Sequence, residues 1–288
     1  AARSWGASKG VPIIRRLGAC SWSLKCKSPV DLARALGEVG VSCVQLALEP
    51  LRSGAWPIEE TTTSLRRANI KIASGMIGTK GEDYSTLQSI RETGGGRSDA
   101  HWLWNLTMAE ESAAIAKKIG VKLVTFHAGF LPERKGDSLR RKMLGRIAQI
   151  ADRFAAQGVK LGLETGQETA DTLLEVLKEL AHPNVGVNFD PANMILYDMG
   201  DPVAALDTLA PHVVQVHIKD ALLTENPGTW GSEVVVGTGD VDWPGFFDVV
   251  REHGLACNFM IEREAGESRV ADMISARTLV GPLIEKLK

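Results

Sequence analysis

One pattern runs through the sequence and limits the folds open to it: a short apolar run followed by a longer amphipathic segment. The apolar runs have the length and residue types of buried strands. These eight runs are Leu17–Trp22, Ser42–Leu48, Lys71–Met76, Lys122–His127, Lys160–Glu164, Val185–Asp190, Val213–His217 and Asn258–Glu262. Helical periodicity is found at Pro29–Val39, Ile58–Ala68, Met108–Ile119, Leu139–Gln157, Ala170–Leu180, Val203–Leu209, Trp243–His253 and Arg269–Lys288. The alternation predicts an α/β protein with a parallel sheet.

Glycines at the ends of helical segments mark where the chain turns back into a strand, as at Gly40, Gly120 and Gly158. Eight βα units within 288 residues match the size of one (β/α)8 TIM barrel. A doubly wound open sheet is the alternative, but no G-x-G-x-x-G sequence follows the first strand. We therefore predict a single TIM barrel domain over residues 1–288, with an N-terminal extension at 1–15 and a long loop at 77–103 over the barrel mouth.

The charge balance argues against nucleic acid as a partner. Lys plus Arg is 33 and Asp plus Glu is 35, so the net charge is −2 and no basic surplus exists to neutralise a phosphate backbone. No run of 18 apolar residues is present, so we expect no membrane partner either. The expected partner is a small molecule, and a homodimer or homotetramer is an open alternative to a monomer.

The cysteines and the chain start bear on the compartment. The four cysteines show no Cys-x-x-Cys spacing and fit buried thiols better than a disulfide framework. The chain begins at Ala1 rather than at a methionine. The compartment therefore stays open: cytoplasm by default, or export if a signal peptide preceded Ala1.

Chemically capable side chains stand at the ends of consecutive predicted strands. The fifth to eighth strands end in Glu164, Asp190, His217 and Glu262, and the fourth ends in His127. Side chains alternate along a strand, so the branched and aromatic neighbours of these residues face the outer helices. The four residues then point to the barrel axis, at the end where TIM barrels place their active sites.

Three carboxylates and an imidazole in one place repel one another or compete for protons unless a cation is present. Oxygen ligands with one histidine suit Mn²⁺, Mg²⁺ or Co²⁺, with Zn²⁺ as a further candidate. The alternative is that some of these groups are hydrogen-bonded core residues. Four groups at one strand position with matching parity favour a metal site.

Several motifs surround these four residues and give the chain a family resemblance. They are Leu-Glu164-Thr, Asn-Phe-Asp190-Pro-Ala-Asn193, Val-His217-Ile-Lys219-Asp220, Gly237-Thr-Gly-Asp-Val-Asp242-Trp243 and Ile-Glu262-Arg-Glu. With them the chain resembles the sugar isomerase/epimerase branch of the xylose isomerase-like TIM barrels, near the tagatose and ribulose 3-epimerases. The resemblance implies one divalent ion held by Glu164, Asp190, His217 and Glu262. It also implies that Glu164 and Glu262 carry the proton during catalysis.

The residues that would bind the substrate depart from the epimerase pattern. Asn193 stands where those epimerases have a histidine, and Ala170 stands where they have a second glutamate, with Glu168 two residues earlier. No arginine occurs between His217 and Arg251, where they place one. The departures put free ketohexoses in doubt and leave keto-glycosides, sugar phosphates and acidic sugars open.

Six residues are candidates for substrate binding. His127 could bond a hydroxyl, and Lys219 could hold a hydroxyl, carboxylate or phosphate, unless it pairs with Asp240 or Asp242. Tryptophans near the mouth could stack on a sugar ring or simply pack the loop. The complete candidate set is His127, Asn193, Lys219, Glu168, Trp104 and Trp230.

The resemblance and the residues together predict a metal-dependent isomerase or epimerase of carbohydrate metabolism. A metal polarises the carbonyl and stabilises an enediolate, while two carboxylates remove and return a proton. A metal-dependent lyase or dehydratase acting on a keto sugar is the alternative, because it uses the same enediolate. An abasic-site nuclease like endonuclease IV is disfavoured, since its three zinc ions need several further histidines at strand ends and this chain has only six in total.

Overall fold

The computed structural model describes residues 16–287, so the predicted extension at 1–15 lies outside the described residues. The strands are β1 (Leu17–Cys20), β2 (Cys43–Ala47), β3 (Lys71–Met76), β4 (Leu123–Phe126), β5 (Lys160–Glu164), β6 (Val185–Phe189), β7 (Val213–Ile218), β8 (Asp220–Leu222), β9 (Ser232–Val234) and β10 (Asn258–Ile261). Eight of them close a parallel barrel in the order β1-β10-β7-β6-β5-β4-β3-β2. The predicted TIM barrel is confirmed.

Helices cover the outside of the barrel. They are α1 (Pro29–Val39), α2 (Glu49–Arg52), α3 (Ile58–Arg67), α4 (Leu87–Thr93), α5 (Trp102–Lys118), α6 (Ser138–Ala155), α7 (Ala170–Leu180), α8 (Pro191–Leu196), α9 (Pro202–Leu209), α10 (Trp243–Glu252) and α11 (Arg269–Glu285). Side chains of Ser28, Thr169 and Asp201 accept backbone N–H groups where α1, α7 and α9 begin. None of the helices within residues 16–287 is long and apolar enough to span a membrane.

The two faces of each barrel strand differ as the alternation predicts. Outward residues such as Leu161, Leu163 and Phe189 are buried under the helices, and the Phe189 ring lies 5.9 Å from that of Phe246 on α10. The barrel interior instead holds a hydrogen-bonded polar layer. Its members, all fully buried, are Gln45, Ser74, Thr125, Asn188 and Gln215. This layer lies directly beneath the strand ends that carry the candidate site.

The segment at 77–103 differs from the predicted long loop. It contains α4, which begins with a capping box between Thr86 and Ser89, and its last two residues already belong to α5. Ile90 of α4 packs against Phe130 and Tyr197, which follow β4 and β6. The segment is therefore a packed cover on the side where those strands end.

The β8–β9 hairpin and the short helices α2 and α8 had no counterpart in the sequence prediction. The antiparallel hairpin of β8 and β9 lies between β7 and α10, and the short helix α8 follows β6. The carboxylate of Asp220 holds the connection from β9 to α10 by accepting backbone N–H groups of Gly237 and Val241 and the indole N–H of Trp243. All four cysteines are free, and three are buried while Cys26 is half-buried.

Candidate active site

Glu164, Asp190, His217 and Glu262 meet at the carboxyl end of the barrel, and we call them the four-residue cluster. Glu164 ends β5, Asp190 follows β6, His217 lies on β7 and Glu262 follows β10. These strands are consecutive neighbours in the barrel, which explains why residues far apart in sequence converge. All four side chains are buried, and each offers a ligand atom within 4.8 Å of the others.

The distances within the four-residue cluster fit ligands of a shared cation better than hydrogen bonds. His217 Nδ1 lies 3.4 Å from each of three oxygens: Glu164 Oε1, Asp190 Oδ2 and Glu262 Oε2. A hydrogen bond from a ring nitrogen to oxygen is normally shorter, at about 2.7–3.2 Å. Two ligand atoms that are each about 2.1 Å from one metal ion lie about 3.0–3.4 Å apart. The donor set of three carboxylates and one imidazole therefore fits a divalent ion.

The electrostatics of the four-residue cluster also favour positive charge at its centre. Burial lowers the pKa of His217, but the surrounding carboxylates outweigh it and hold that pKa well above its ordinary value. Burial raises the pKa of Asp190 to about 6, because the neighbouring cations only partly offset it. A site that attracts a proton to an imidazole so strongly also attracts a metal ion.

Glu164 is held on both of its oxygens. Its Oε1 accepts from Asn193 Nδ2 at 3.1 Å and lies 3.4 Å from His127 Nε2, while its Oε2 accepts from Asn188 Nδ2 at 3.2 Å. Burial raises the pKa of Glu164, but the two histidines beside it lower the pKa further, so the net direction is down. The carboxylate is therefore ionised at neutral pH.

Gly166 lets Asn193 approach Glu164. Its φ is +132°, and a Cβ added there would lie 2.2 Å from Asn193 Cβ. Only glycine combines that backbone conformation with so close a neighbour. The loop after β5 is thus shaped around the start of α8.

Glu262 is held by a different pair of donors. Trp22 Nε1 donates to Oε1 at 2.7 Å, and Lys219 Nζ donates to Oε2 at 3.0 Å. Burial raises the pKa of Glu262, but Lys219 and His217 outweigh it and hold the pKa well below the usual range. Both glutamates of the four-residue cluster are ionised, each in its own hydrogen-bonded setting.

The alternative considered for Lys219, a salt bridge with Asp240 or Asp242, is not what the structure shows. Its amine bridges Glu262 and Glu264, the latter at 2.8 Å. Asp240 and Asp242 are engaged elsewhere, because each accepts a backbone N–H: Asp240 from Leu223, and Asp242 at the start of α10. Lys219 is therefore a buried cation already matched by two carboxylates.

The remaining predicted substrate residues fall into different settings. Glu168 is buried on the loop after β5, and burial raises its pKa to about 8. Trp230 packs edge-on against Tyr197, with ring centres 4.8 Å apart. Trp104 lies on α5, its ring beneath the guanidinium of Arg52. The substrate roles of these residues stay predictions.

The sequence reasoning gave no role to Trp22, Gln45 and Asn188, which contact the four-residue cluster. It also gave none to Tyr197. Alternation had placed Asn188 on the face of Asp190 without assigning it a role. Trp22 lies in a single 3-10 turn after β1, where no periodicity signals its direction. Tyr197, whose hydroxyl accepts from Gln167 Nε2 at 3.2 Å, follows the unpredicted α8.

Cys20 forms a second group with His217 and Glu262. Burial raises the pKa of its thiol to about 12, so the sulfur stays protonated. A protonated thiol is a poor nucleophile and a poor metal ligand. The four-residue cluster is therefore the better candidate for a metal centre.

A family model described as xylose isomerase-like TIM barrel matches residues 30–278. The crystal structure of a xylose isomerase domain protein from Planctomyces limnophilus is 30% identical, with a TM-score of 0.82. That match covers 88% of this chain and 92% of the other.

Two further solved structures share the fold, and their descriptions name an epimerase and a probable dehydratase. A structure of L-ribulose 3-epimerase is 17% identical with a TM-score of 0.72, covering 94% of this chain and 95% of that one. The probable 3-dehydroshikimate dehydratase of Bacillus anthracis is 19% identical with a TM-score of 0.71, covering 92% and 98%. A curated 3-dehydroshikimate dehydratase from the same species is 35% identical over 86 residues, 28% of this chain and 30% of that protein. The chain spans 40%, 59% and 30% of the lengths of three curated relatives that it matches.

Proposed function

The chain belongs to the xylose isomerase-like TIM barrel family, and on that premise we propose that it is a divalent-metal-dependent isomerase or epimerase of a sugar derivative. The observation that carries the proposal is the four-residue cluster, in which one ring nitrogen stands 3.4 Å from three carboxylate oxygens. Mn²⁺, Mg²⁺ and Co²⁺ suit this oxygen-rich set, and Zn²⁺ is a further candidate.

The ion would be held by Glu164, Asp190, His217 and Glu262. When bound, it would polarise a substrate carbonyl, acidify the neighbouring C–H group and stabilise the enediolate. The protein's own part is to move the proton. Glu164 and Glu262 are ionised and stand on opposite sides of His217 Nδ1 in barrel order, so each can serve one face of a bound substrate.

The two proton carriers are positioned by separate groups. Asn193 and Asn188 orient Glu164, whereas Trp22 and Lys219 orient Glu262. Independent support lets one carboxylate take a proton without displacing the other. Return of the proton to the same carbon from the other face gives epimerisation, and return to the neighbouring carbon gives aldose–ketose isomerisation.

The charges favour an uncharged substrate. Lys219 is matched by Glu262 and Glu264, and Arg263 is matched by Glu233 and Asp272. A phosphate or carboxylate on the substrate would have to displace one of these carboxylates and would face the others. Keto sugars and keto-glycosides are therefore better candidates than sugar phosphates or sugar acids. We propose that His127, whose buried Nδ1 has no hydrogen-bond partner within residues 16–287, bonds a sugar hydroxyl.

Dehydration of a keto substrate is the second candidate. The 86-residue similarity to a 3-dehydroshikimate dehydratase favours it, and both reactions begin with removal of a proton next to a carbonyl. They differ only in the second step, in which a dehydratase expels a hydroxyl group and an epimerase returns the proton.

A panel of keto sugars and keto-glycosides incubated in D₂O with Mn²⁺ tests the proposal, with proton NMR as the readout. We expect deuterium to enter the carbon next to the carbonyl of one substrate, with formation of its epimer or isomer. Protein stripped with a chelator and the Asp190→Ala variant are the controls. An unsaturated product would establish the dehydratase instead. A panel without exchange or product would refute both.

A further inference from the structure

Gln45 on β2 contacts the four-residue cluster from below. Its side chain is fully buried, and its Oε1 lies 2.8 Å from His217 Nε2, the ring nitrogen on the side away from the carboxylates. The two residues are 172 positions apart in sequence. A buried glutamine needs partners for both ends of its amide, and those partners determine how the amide is oriented.

The orientation of the Gln45 amide is fixed by its other end. Its Nε2 donates to Thr125 Oγ1 at 2.7 Å and lies 3.4 Å from the carbonyl oxygen of Gly75. Both partners accept hydrogen bonds, so the amide nitrogen belongs on that side and the oxygen faces His217. An amide oxygen can only accept, and His217 Nε2 must therefore carry a proton to bond it. The lone pair of neutral His217 then resides on Nδ1.

Asn188 favours the other tautomer of His217, with the ring proton on Nδ1. Its Oδ1 accepts from Gln215 Nε2 at 3.1 Å, so its amide nitrogen faces Glu164 Oε2 and lies 3.0 Å from His217 Nε2. If Gln45 were absent, His217 Nε2 could accept from Asn188 and the ring proton would move to Nδ1. A proton there would block the nitrogen that faces the three carboxylates.

We propose that Gln45 is a positioning residue that keeps the ring proton of His217 on Nε2 and so presents the Nδ1 lone pair to a divalent cation. The inference rests on the metal site of the proposed function. Gln45 would support the site from β2, on the side of the barrel remote from β5 and β6. Groups that orient a metal-binding histidine in this way typically contribute about 10–100-fold to metal affinity.

Mn²⁺ affinity, measured by calorimetry on the full chain, tests this role. Gln45→Leu keeps the approximate size but removes the acceptor, and we expect about 10–100-fold weaker binding. Gln45→Glu keeps an acceptor at the same place and should retain at least wild-type affinity. Ser74→Ala is the matched control, because it removes a buried hydrogen bond of the same polar layer, to Gln215, without touching His217. It should bind Mn²⁺ as the wild type does.

The ring proton itself gives a readout that a purely structural role would not change. In Zn²⁺-loaded protein with ¹⁵N-labelled histidine, His217 should show a slowly exchanging proton on Nε2, and Gln45→Leu should lose that protection. Equal Mn²⁺ affinity in wild type and Gln45→Leu overturns the proposal, as does a wild-type His217 whose proton lies on Nδ1. The position of the ring proton is measured on the wild type alone, so this test remains available if Gln45→Leu fails to fold. A wild type that binds no divalent cation refutes the metal site itself, a different failure.

Discussion

Replacing Glu262 with glutamine separates proton transfer from metal binding and folding. The substitution keeps the size and one oxygen but places an amide NH₂ beside donors on either side. One side is the indole N–H of Trp22 at 2.7 Å, and the other is the ammonium of Lys219 at 3.0 Å. Either orientation of the amide therefore loses one hydrogen bond and brings two donors together.

The structure sets the sizes of the expected effects. One lost hydrogen bond with a buried donor left unpaired costs about 1–3 kcal/mol of folding stability. Loss of a general base slows a reaction by about 10²–10⁴, equivalent to roughly 2.7–5.4 kcal/mol of barrier. We therefore expect Glu262→Gln to fold, to bind the ion more weakly, and to lose catalysis by a larger factor than it loses affinity. The same reasoning applies to Glu164→Gln, whose amide would face Asn193 or Asn188.

The assay is wash-in of deuterium into each epimer of the substrate found in the panel, followed by proton NMR at saturating metal. Each glutamine variant should still exchange one epimer while failing on the other, because only one face has lost its base. Glu264→Gln is the matched control: it also removes a carboxylate from Lys219, but its side chain is 54% exposed and outside the four-residue cluster. Normal exchange of both epimers in both variants would refute the two-base mechanism.

Three further predictions concern Gly166, Arg140 and Glu168. Gly166→Ala should lower the melting temperature and weaken metal binding, because the new Cβ would displace Asn193. Gly54→Ala is the control: its φ is +78° but the space around its Cβ is open, so its change in melting temperature measures backbone strain alone. Arg140→Ala should lower the unfolding free energy by about 1–3 kcal/mol in urea titrations, because the fully buried guanidinium donates to Glu179 and to the carbonyl oxygen of Pro132; an unchanged unfolding free energy would contradict this. Burial raises the pKa of Glu168 to about 8 from an ordinary value near 4.5, so folding stability falls as pH rises between those values. Glu168→Gln should therefore gain melting temperature over wild type progressively from pH 5 to pH 8, and a constant difference would contradict the buried carboxyl.

The barrel and the convergence of the four-residue cluster followed from two simple periodicities. Alternation within a strand determines which side chains face the axis, and the parallel order of the barrel brings successive strand ends together. Both depend on local spacing, and a single sequence displays local spacing directly. The strands at 71–76 and 160–164 accordingly have the predicted bounds.

The contacts that orient the cluster depend on long-range packing and were not predictable. A salt bridge with Asp240 or Asp242 was the alternative to substrate binding for Lys219, but both acids accept backbone N–H groups instead. Gln45 and Trp22 come from β2 and the turn after β1, where nothing in the spacing marks them as partners of residues on β7 and after β10. The helix α4 was missed because its capping box lies within a segment rich in glycine and polar residues.

The central claim is that Glu164, Asp190, His217 and Glu262 hold one divalent cation, and metal stoichiometry tests it most directly. Equilibrium dialysis against Mn²⁺ at pH 7.5 should give one equivalent per wild-type chain and none for Asp190→Ala, whose folding is checked by circular dichroism. Affinity should fall as the pH drops, because the surrounding carboxylates hold the pKa of His217 well above its ordinary value and burial raises the pKa of Asp190 to about 6, so protons compete with the ion at both ligands. A folded Asp190→Ala variant that still binds one equivalent would contradict the account.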